Sequence, residues 1–272
     1  MYKRPNSLED ALDILASGDW MIAAGCTDLF PATQHKSLRG PVLDLSAIES
    51  LRGIAVTANG VHIGATTTWA DLTRAELPPC FDGLKLAARE VGATQIQNRG
   101  TLAGNLCNAS PAADGVPPLL TLNAEVEIST ARATRRVPVS AFLTGPRQTA
   151  LASDEMVTAI HVPQSALSGQ GHFLKLGARK YLVISIAMTS ARITVEDGCV
   201  TQAALAVGSC GPVAVRLPEI EALMIGQPVD PRVITDEAVA QAIAPIDDIR
   251  ADAAYRAKGA AELLRRTVEV FA

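Results

Sequence analysis

The chain has 272 residues, of which 48 % are hydrophobic, and this is enough apolar material for one large or two modest cores. Aromatic residues make up only 4 % and the net charge is −4, so neither base stacking nor phosphate attraction is favoured, and we expect no binding to nucleic acid. The most apolar stretch, residues 182–191, is too short and too polar for a membrane span.

The cysteines and histidines give no sign of a metal site. The five cysteines are scattered without a C-x-x-C pair, so the sequence predicts neither a zinc site nor an iron–sulfur cluster. The four histidines share no ligand spacing, and we expect no metal. Acidic residues from Glu9 onward interrupt the N-terminal segment, which argues against a signal peptide and favours the cytoplasm.

The first half of the chain mixes short strands with helices. Ser7 and Asp10 resemble a capping box at the start of a helix, and Asn59-Gly60 is a strong hairpin signal. The predicted elements are a helix from residue 8, strands at residues 20–22, 42–45, 54–57 and 61–65, and helices at 68–72 and 83–91.

The second half continues this pattern. Residues 164–171 are small and polar, as in a joint between domains. We predict helices at residues 111–122, 217–225, 236–244 and 251–270, and strands at 125–129, 136–139, 156–162, 173–176, 183–195 and 200–207. Strands and helices are segregated, which favours an α+β fold over a Rossmann fold.

Two glycine-containing stretches are the candidate ligand loops. The first glycine loop, residues 22–29, follows a predicted buried strand and turns at Gly25. The second, residues 100–114, contains little side-chain bulk and many short polar groups, and its Ser110-Pro111 pair predicts a helix N-terminus. Each could be only a tight turn. Together they suit a phosphate-containing ligand, although neither has the spacing of a dinucleotide fingerprint or a Walker loop.

The two loops, A-G-C-T-D-L and Q-N-R-G-T-L-A-G-N-L-C-N-A-S-P-A-A-D, resemble the flavin-binding loops of one family. It is the FAD-carrying medium subunit of molybdenum hydroxylases of the xanthine dehydrogenase and carbon monoxide dehydrogenase type. The usual forms are A-G-G-T-D-L and R-N-x-G-T-I-G-G-N-x-x-N-x-x-P-x-x-D. This chain departs from them at Cys26, Ala103 and Gln97.

The resemblance covers essentially the whole chain. It implies a two-lobed FAD-binding domain of the PCMH/VAO type at residues 1–165, with lobes at 1–52 and 53–165, and a smaller sheet-and-helix domain at 170–272. It also implies that Asp114 accepts hydrogen bonds from FAD hydroxyls, that Lys175 reaches the flavin ring, and that Val91 and Val157 make apolar contacts. The implied FAD-binding residues are Ile22, Ala23, Ala24, Gly25, Cys26, Thr27, Asp28, Leu29, Thr101, Gly104, Asn105, Asp114, Val157 and Lys175.

The same resemblance implies an electron-transfer subunit with no catalytic residue of its own. Electrons would come from a molybdopterin-binding large subunit through a [2Fe–2S] small subunit, and would pass to NAD, a quinone or another soluble acceptor. Two alternatives stay open at this point. One is a stand-alone FAD oxidoreductase of the wider fold, and the other is an assembly subunit that has lost its flavin.

Overall fold

The computed structural model describes residues 1–35 and 37–272, and its N-terminal part is a small parallel sheet covered by one helix. The elements are β1 (Tyr2–Lys3), α1 (Leu8–Ala16), β2 (Met21–Ala23) and β3 (Val42–Asp44). The strand order is β1-β3-β2. Ser7 caps α1 by accepting a hydrogen bond from the backbone N–H of Asp10, as the sequence predicts. Leu12 and Leu15 of α1 pack into a small core with Leu43 of β3.

A five-stranded antiparallel sheet follows, with the order β4-β5-β10-β6-β7. Its inward residues, such as Ile63 and Ile160, are fully buried in the largest core of the chain. The elements of this part are β4 (Ile54–Thr57), β5 (Gly60–Gly64), α2 (Trp69–Arg74), α3 (Asp82–Glu90), α4 (Thr94–Gln97), α5 (Leu102–Asn108), α6 (Val116–Thr121), β6 (Glu125–Ser129), β7 (Thr134–Pro138), α7 (Val139–Phe142), β8 (Leu143–Gly145), β9 (Gln148–Thr149) and β10 (Met156–Pro163).

The C-terminal part is a four-stranded antiparallel meander with helices. Its elements are β11 (Gln170–Leu176), β12 (Ala187–Glu196), β13 (Cys199–Gly208), β14 (Val215–Arg216), α8 (Pro218–Met224), α9 (Asp236–Ala242) and α10 (Ala253–Glu269). Helix α10 packs on β11 and β12, while α3 and α6 of the preceding part also contact this sheet. Because β12 has helices on both faces, residues 187–193 are all buried rather than alternately exposed.

The three larger sheets are formed by residues 2–44, 54–163 and 170–216, β8 and β9 form a fourth, two-stranded sheet, and the mixture of sheets with helices confirms the α+β class. The division of the chain into domains at residues 1–52, 53–165 and 170–272 stays a prediction. None of the described helices is long and apolar enough to cross a membrane.

The second glycine loop differs from its prediction in one respect. Residues 102–108 form α5, and the helix expected from Pro111 begins only at Val116. A helix from Pro111 would place Pro117 and Pro118 in its interior, where neither can donate the required backbone hydrogen bond. Beginning at Val116 puts both prolines in the first turn, which needs no such donors. The prediction of a helix N-terminus at Ser110-Pro111 was therefore wrong.

Two other predicted bounds were also wrong. Strand β12 begins at Ala187 rather than residue 183, and β11 begins at Gln170, inside the predicted joint. Strand β11 contacts the start of α3 and the residues before it closely at Gly171. A Cβ atom added there would lie 2.3 Å from the carbonyl oxygen of Cys80. This backbone contact holds the C-terminal sheet against the core of the preceding part.

Arg192 joins the C-terminal sheet to α6 through a buried hydrogen-bond network. Its side chain donates to the carbonyl oxygens of Thr121 at 2.9 Å and Ser168 at 3.2 Å, and to Oε1 of Gln202 at 3.1 Å. The residue is only 4 % exposed. Burial lowers the pKa of the guanidinium from its ordinary value, and its stability there depends on these acceptors.

We expect Arg192→Met to destabilise the fold by about 2–4 kcal/mol, because it leaves buried carbonyl oxygens without donors. Urea denaturation followed by circular dichroism measures the change. Arg232→Met is the matched control, since the Arg232 side chain is 90 % exposed beside Asp230, and its melting temperature should not change. Equal stability of the two variants would contradict the role given to Arg192.

Candidate functional site

A cavity of about 700 Å³ lies where the two glycine loops meet the ends of β5, β10 and β11. This volume falls within the range of about 300–1,000 Å³ that is typical of ligand sites. Of the predicted binding residues only Ala23 does not line it, because Ala23 is buried in β2. The others that line it are Ile22, Ala24, Gly25, Cys26, Thr27, Asp28, Leu29, Thr101, Gly104, Asn105, Asp114, Val157 and Lys175.

The first glycine loop touches the second through the backbone. A Cβ atom at Gly25 would lie 2.0 Å from the carbonyl oxygen of Arg99 and 2.9 Å from Cα of Gly100. Glycine is therefore required here by contact and not by an unusual backbone angle. Within the part of the chain that the structure describes, the backbone N–H groups of residues 25–29 donate to no protein atom. These amides are available to an anionic ligand.

Cys26 occupies a backbone conformation that favours glycine. Its φ angle is +61°, in the left-handed region. Its Sγ lies 3.6 Å from the carbonyl oxygen of Ala24, and burial raises the pKa of the thiol. The glycine usual at this position in the family that the sequence resembles would adopt this conformation without steric cost.

The second glycine loop is held in place by short side chains. Thr101 caps α5 by accepting a hydrogen bond from the backbone N–H of Gly104 at 3.0 Å. Nδ2 of Asn108 donates to Asp28 of the first glycine loop at 2.9 Å, and Arg147 donates to Asn108. Oδ1 of Asn105 is buried and has no partner among the described residues. Such an acceptor is costly unless a ligand or water donates to it.

The other two departures from the family pattern are accommodated by the fold. Ala103 lies inside α5 and is 3 % exposed, in a position where alanine favours the helix more than glycine does. Nε2 of Gln97 donates to the carbonyl oxygens of Arg89 at 3.0 Å and Val91 at 3.2 Å. Gln97 therefore links α4 to the end of α3 and to Val91 in the cavity wall.

A buried ion pair closes one side of the cavity. Nζ of Lys175 donates to Oδ2 of Asp114 at 2.7 Å, and the hydroxyl of Ser185 donates to Oδ1 at 2.6 Å. The Lys175 and Asp114 side chains are 7 % and 8 % exposed. Burial raises the pKa of Asp114, and the Lys175 ammonium and the Ser185 hydroxyl oppose that shift. No local sequence signal predicts this pairing or the part of Ser185 in it, because the three residues come from distant parts of the chain.

Apolar residues cover much of the remaining wall. Val91 and Val157 line the cavity, as expected. Leu182, whose φ angle is +54°, and Ile184 also line it while remaining about half exposed. The predicted strand at residues 183–195 included Ile184 but not Leu182. The other apolar lining residues that the sequence analysis missed include Trp69, Ile96, Leu151, Met156 and Val183.

The titratable side chains of this lining are few. Among the described lining residues they are Cys26, Asp28, Cys107, Asp114 and Lys175. Asp114 and Lys175 are paired with each other, and Cys107 is exposed. The cavity therefore combines backbone donors, small polar groups and an apolar wall with little acid–base chemistry of its own.

Comparisons with known proteins cover both parts of the chain. The family described as the FAD binding domain in molybdopterin dehydrogenase matches residues 1–165, and the CO dehydrogenase flavoprotein C-terminal domain matches residues 172–270. A putative xanthine dehydrogenase FAD-binding subunit of Escherichia coli (strain K12) is 30 % identical over 94 % of this chain and 90 % of its own length.

The carbon monoxide dehydrogenase medium chain of Afipia carboxidovorans is 30 % identical over 98 % of this chain and 95 % of its own length. Among solved structures, a chain of carbon monoxide dehydrogenase from Hydrogenophaga pseudoflava superposes with a TM-score of 0.90 at 25 % identity. That match covers 99 % of this chain and 96 % of the other.

We expect Lys175→Met to destabilise the protein in a pH-dependent way. Removing the ammonium leaves a buried carboxyl whose folded pKa lies above its unfolded value of about 3.9. Such a group disfavours folding more as the pH rises from the unfolded to the folded pKa. The loss should approach about 3–5 kcal/mol at pH 8 and be smaller at pH 5.

Urea denaturation at the two pH values measures this difference. Lys180→Met is the control, because Lys180 is exposed and lies over the Tyr181 ring. A loss for Lys175→Met that is the same at both pH values would contradict the ion pair.

We expect Cys26→Gly to stabilise the protein by about 0.5–1 kcal/mol. It removes a left-handed non-glycine residue that costs about 1–2 kcal/mol, and part of the gain is offset by the greater freedom of glycine in the unfolded chain. Equilibrium denaturation measures the gain. Cys26→Ala keeps the strain and removes only the thiol, so a similar gain there would show that the backbone angle is not the cause.

Proposed function

This chain belongs to the FAD-binding subunits of the xanthine dehydrogenase and carbon monoxide dehydrogenase family, and on that premise we propose that its cavity holds one FAD, through which a molybdenum hydroxylase passes its electrons to an acceptor. The observation that carries the proposal is the meeting of the two glycine loops around unused backbone amides, beside an apolar wall. Members of this family are components of oxidoreductases.

The residues of the cavity fit the parts of FAD. The unpartnered N–H groups of residues 25–29 suit a diphosphate. Oδ1 of Asn105 offers an acceptor to a hydroxyl group of the ligand. The apolar wall at Val91 and Val157 suits a planar ring. FAD has an uncharged ring system and two phosphates. It therefore suits a cavity that has few charged side chains and many backbone donors.

When bound, FAD supplies the redox chemistry, and the protein supplies binding, orientation and electrostatics. Gly25 allows the loops to close on the ligand, and Thr101 fixes the second loop by capping α5. Lys175 lines the cavity and would offer FAD a cation, which would favour the reduced flavin to the extent that Asp114 leaves that charge uncompensated. Asp114 thus has two roles in this proposal, as the partner of Lys175 and as an acceptor for ligand hydroxyls.

We further propose that the chain works with two other subunits. A [2Fe–2S] small subunit would deliver the electrons, and a molybdopterin-binding large subunit would oxidise the substrate. Support comes from the scarcity of acid–base groups in the cavity and from the cysteines, which form no cluster among the described residues that could hold a metal. A soluble acceptor such as NAD or a quinone would collect the electrons, with the whole complex in the cytoplasm.

We expect the purified chain alone to retain FAD and to be bleached by dithionite, but not by purines, aldehydes or N-heteroaromatic substrates. The reason is that the described lining residues include few titratable side chains, and two of these, Asp114 and Lys175, are paired with each other. Anaerobic visible spectroscopy measures both reactions, and metal analysis verifies that molybdenum and iron are absent. The matched positive control is the same chain after addition of the large and small subunits of a relative.

Two results would overturn this function. Turnover of such a substrate by the metal-free chain would favour a stand-alone FAD oxidoreductase. A colourless chain that gains no flavin when FAD is added would favour an assembly subunit without flavin.

A further inference from the structure

Two histidines and a glutamate converge on the face of the five-stranded sheet that lies opposite its core. Val61 and Ile63 of β5 point into the core and are 1 % and 0 % exposed, so His62 between them points to the other face. His161 of β10 is the direct cross-strand partner of His62. Glu127 of the next strand, β6, completes the cluster on the same face.

The three side chains are close enough to share one ion. One potential ligand atom from each lies within 4.8 Å of the other two. Nε2 of His161 is 2.8 Å from Oε2 of Glu127. The rings of His62 and His161 pack edge to face, with 4.8 Å between their centroids. All three residues are half-buried, which shields the cluster from bulk water while leaving a path to it.

The carboxylate of Glu127 is already oriented by a neighbour. The hydroxyl of Thr158 on β10 donates to Oε1 of Glu127 at 2.9 Å. This bond leaves Oε2 to face His161. A hydrogen bond of this kind, made by a residue behind a ligand, is a regular feature of protein metal sites because it fixes the ligand's orientation.

We propose that His62, Glu127 and His161 bind one divalent transition-metal ion, Zn²⁺ in preference to Mg²⁺ or Ca²⁺. Two imidazoles and one carboxylate are the donor set of three-ligand zinc sites, in which water takes the fourth position. Magnesium and calcium prefer oxygen donors, which only Glu127 supplies here. The site would cross-link β5, β10 and β6, of which β5 and β10 end at the cavity.

Metal binding requires the three ligand atoms, which lie within 4.8 Å of one another, to adjust their spacing. Zinc bond lengths of about 2.0–2.2 Å in tetrahedral geometry set the ligand atoms about 3.3 Å apart. The 2.8 Å contact between His161 and Glu127 would widen slightly, and a proton on Nε2 of His161 would pass to Nδ1, or to solvent where Nδ1 already carries one, so that a neutral imidazole binds the metal. No oxidation or reduction is involved.

One neighbouring charge competes with the metal. The guanidinium of Arg136 on the edge strand β7 lies 3.5 Å from Oε2 of Glu127. The Arg136 side chain is 50 % exposed and can turn toward solvent. Its ion pair with Glu127 must break before the carboxylate can bind a cation fully, so removing Arg136 should tighten metal binding.

Zinc titration of the full chain, with its flavin retained and bound metals removed by a chelator, tests the site. Calorimetry should find one Zn²⁺ per chain at micromolar concentrations, and X-ray absorption should show nitrogen and oxygen ligands without sulfur. His161→Asn and Glu127→Gln should each weaken binding about tenfold or more. Arg136→Ala should tighten it about two- to fivefold, the range for loss of an exposed ion pair.

Two further variants guard against unfolding and against adventitious binding. Among the described residues His62 makes no side-chain hydrogen bond to another residue, so His62→Asn should fold normally and still lose the metal. In the wild-type chain saturating Zn²⁺ should raise the melting temperature by about 5 °C, an increase that His62→Asn should not show. His35→Gln, which removes an exposed histidine outside the cluster, should behave like the wild type.

The proposal is wrong if Zn²⁺ fails to bind at these concentrations, or if sulfur ligands are found. It is equally wrong if His62→Asn and His161→Asn bind Zn²⁺ as tightly as the wild type. In those cases Glu127 and His161 are a hydrogen-bonded pair and nothing more. None of these readouts depends on electron transfer, so the site can fail without affecting the proposed function.

Discussion

The cavity depends on an ion pair that is stable only where the fold puts it. Lys175 belongs to the C-terminal sheet and Asp114 to the loop between α5 and α6, so their contact joins two parts of the chain that fold around different cores. Removing two charges from water costs several kcal/mol for each ion, and only close geometry with further hydrogen bonds can offset that cost. The Ser185 hydroxyl supplies one such bond. The ion pair therefore places the Lys175 cation, paired with Asp114, in the wall of a cavity that has few other charged side chains.

The contact between the two glycine loops is the complementary constraint on the other side. At Gly25 the loops approach so closely that no side chain fits between them. Asn108 and Asp28 add a hydrogen bond across the same boundary. Since the loops are fixed by each other, the amides of residues 25–29 stay open without a partner among the described residues. A backbone cradle of this kind binds phosphate through geometry and needs little net charge.

The departures from the family's usual loop sequences have three different physical consequences. Ala103 lies in α5, where alanine favours the helix, and the side chain of Gln97 donates a hydrogen bond to a carbonyl oxygen at the end of α3. Only Cys26 carries a cost, because its backbone takes a conformation suited to glycine. Even there the backbone N–H of residue 26 remains available. The chain therefore keeps the backbone donors of the cradle while changing its side chains.

The sequence alone was sufficient for whatever depends on local pattern. Helix α1 with its Ser7 cap and the hairpin of β4 and β5 follow from capping and turn signals, and the strands of the C-terminal meander follow from short apolar runs. The two loops carried the resemblance to the family, and the comparisons confirm that family. The prolines at 117 and 118 could also have been used to place the start of α6, and that signal was missed.

Tertiary structure decided every feature that depends on residues far apart in the chain. The Asp114–Lys175–Ser185 group spans 71 residues, and the His62–Glu127–His161 group comes from three strands. Neither has a spacing that a motif could reveal. A local signal arises because neighbouring residues share one helix or strand, whereas these contacts arise only when separate elements pack and desolvate particular pairs. The sequence thus determined which cofactor loops are present, and packing determined which charges and ligands meet around them.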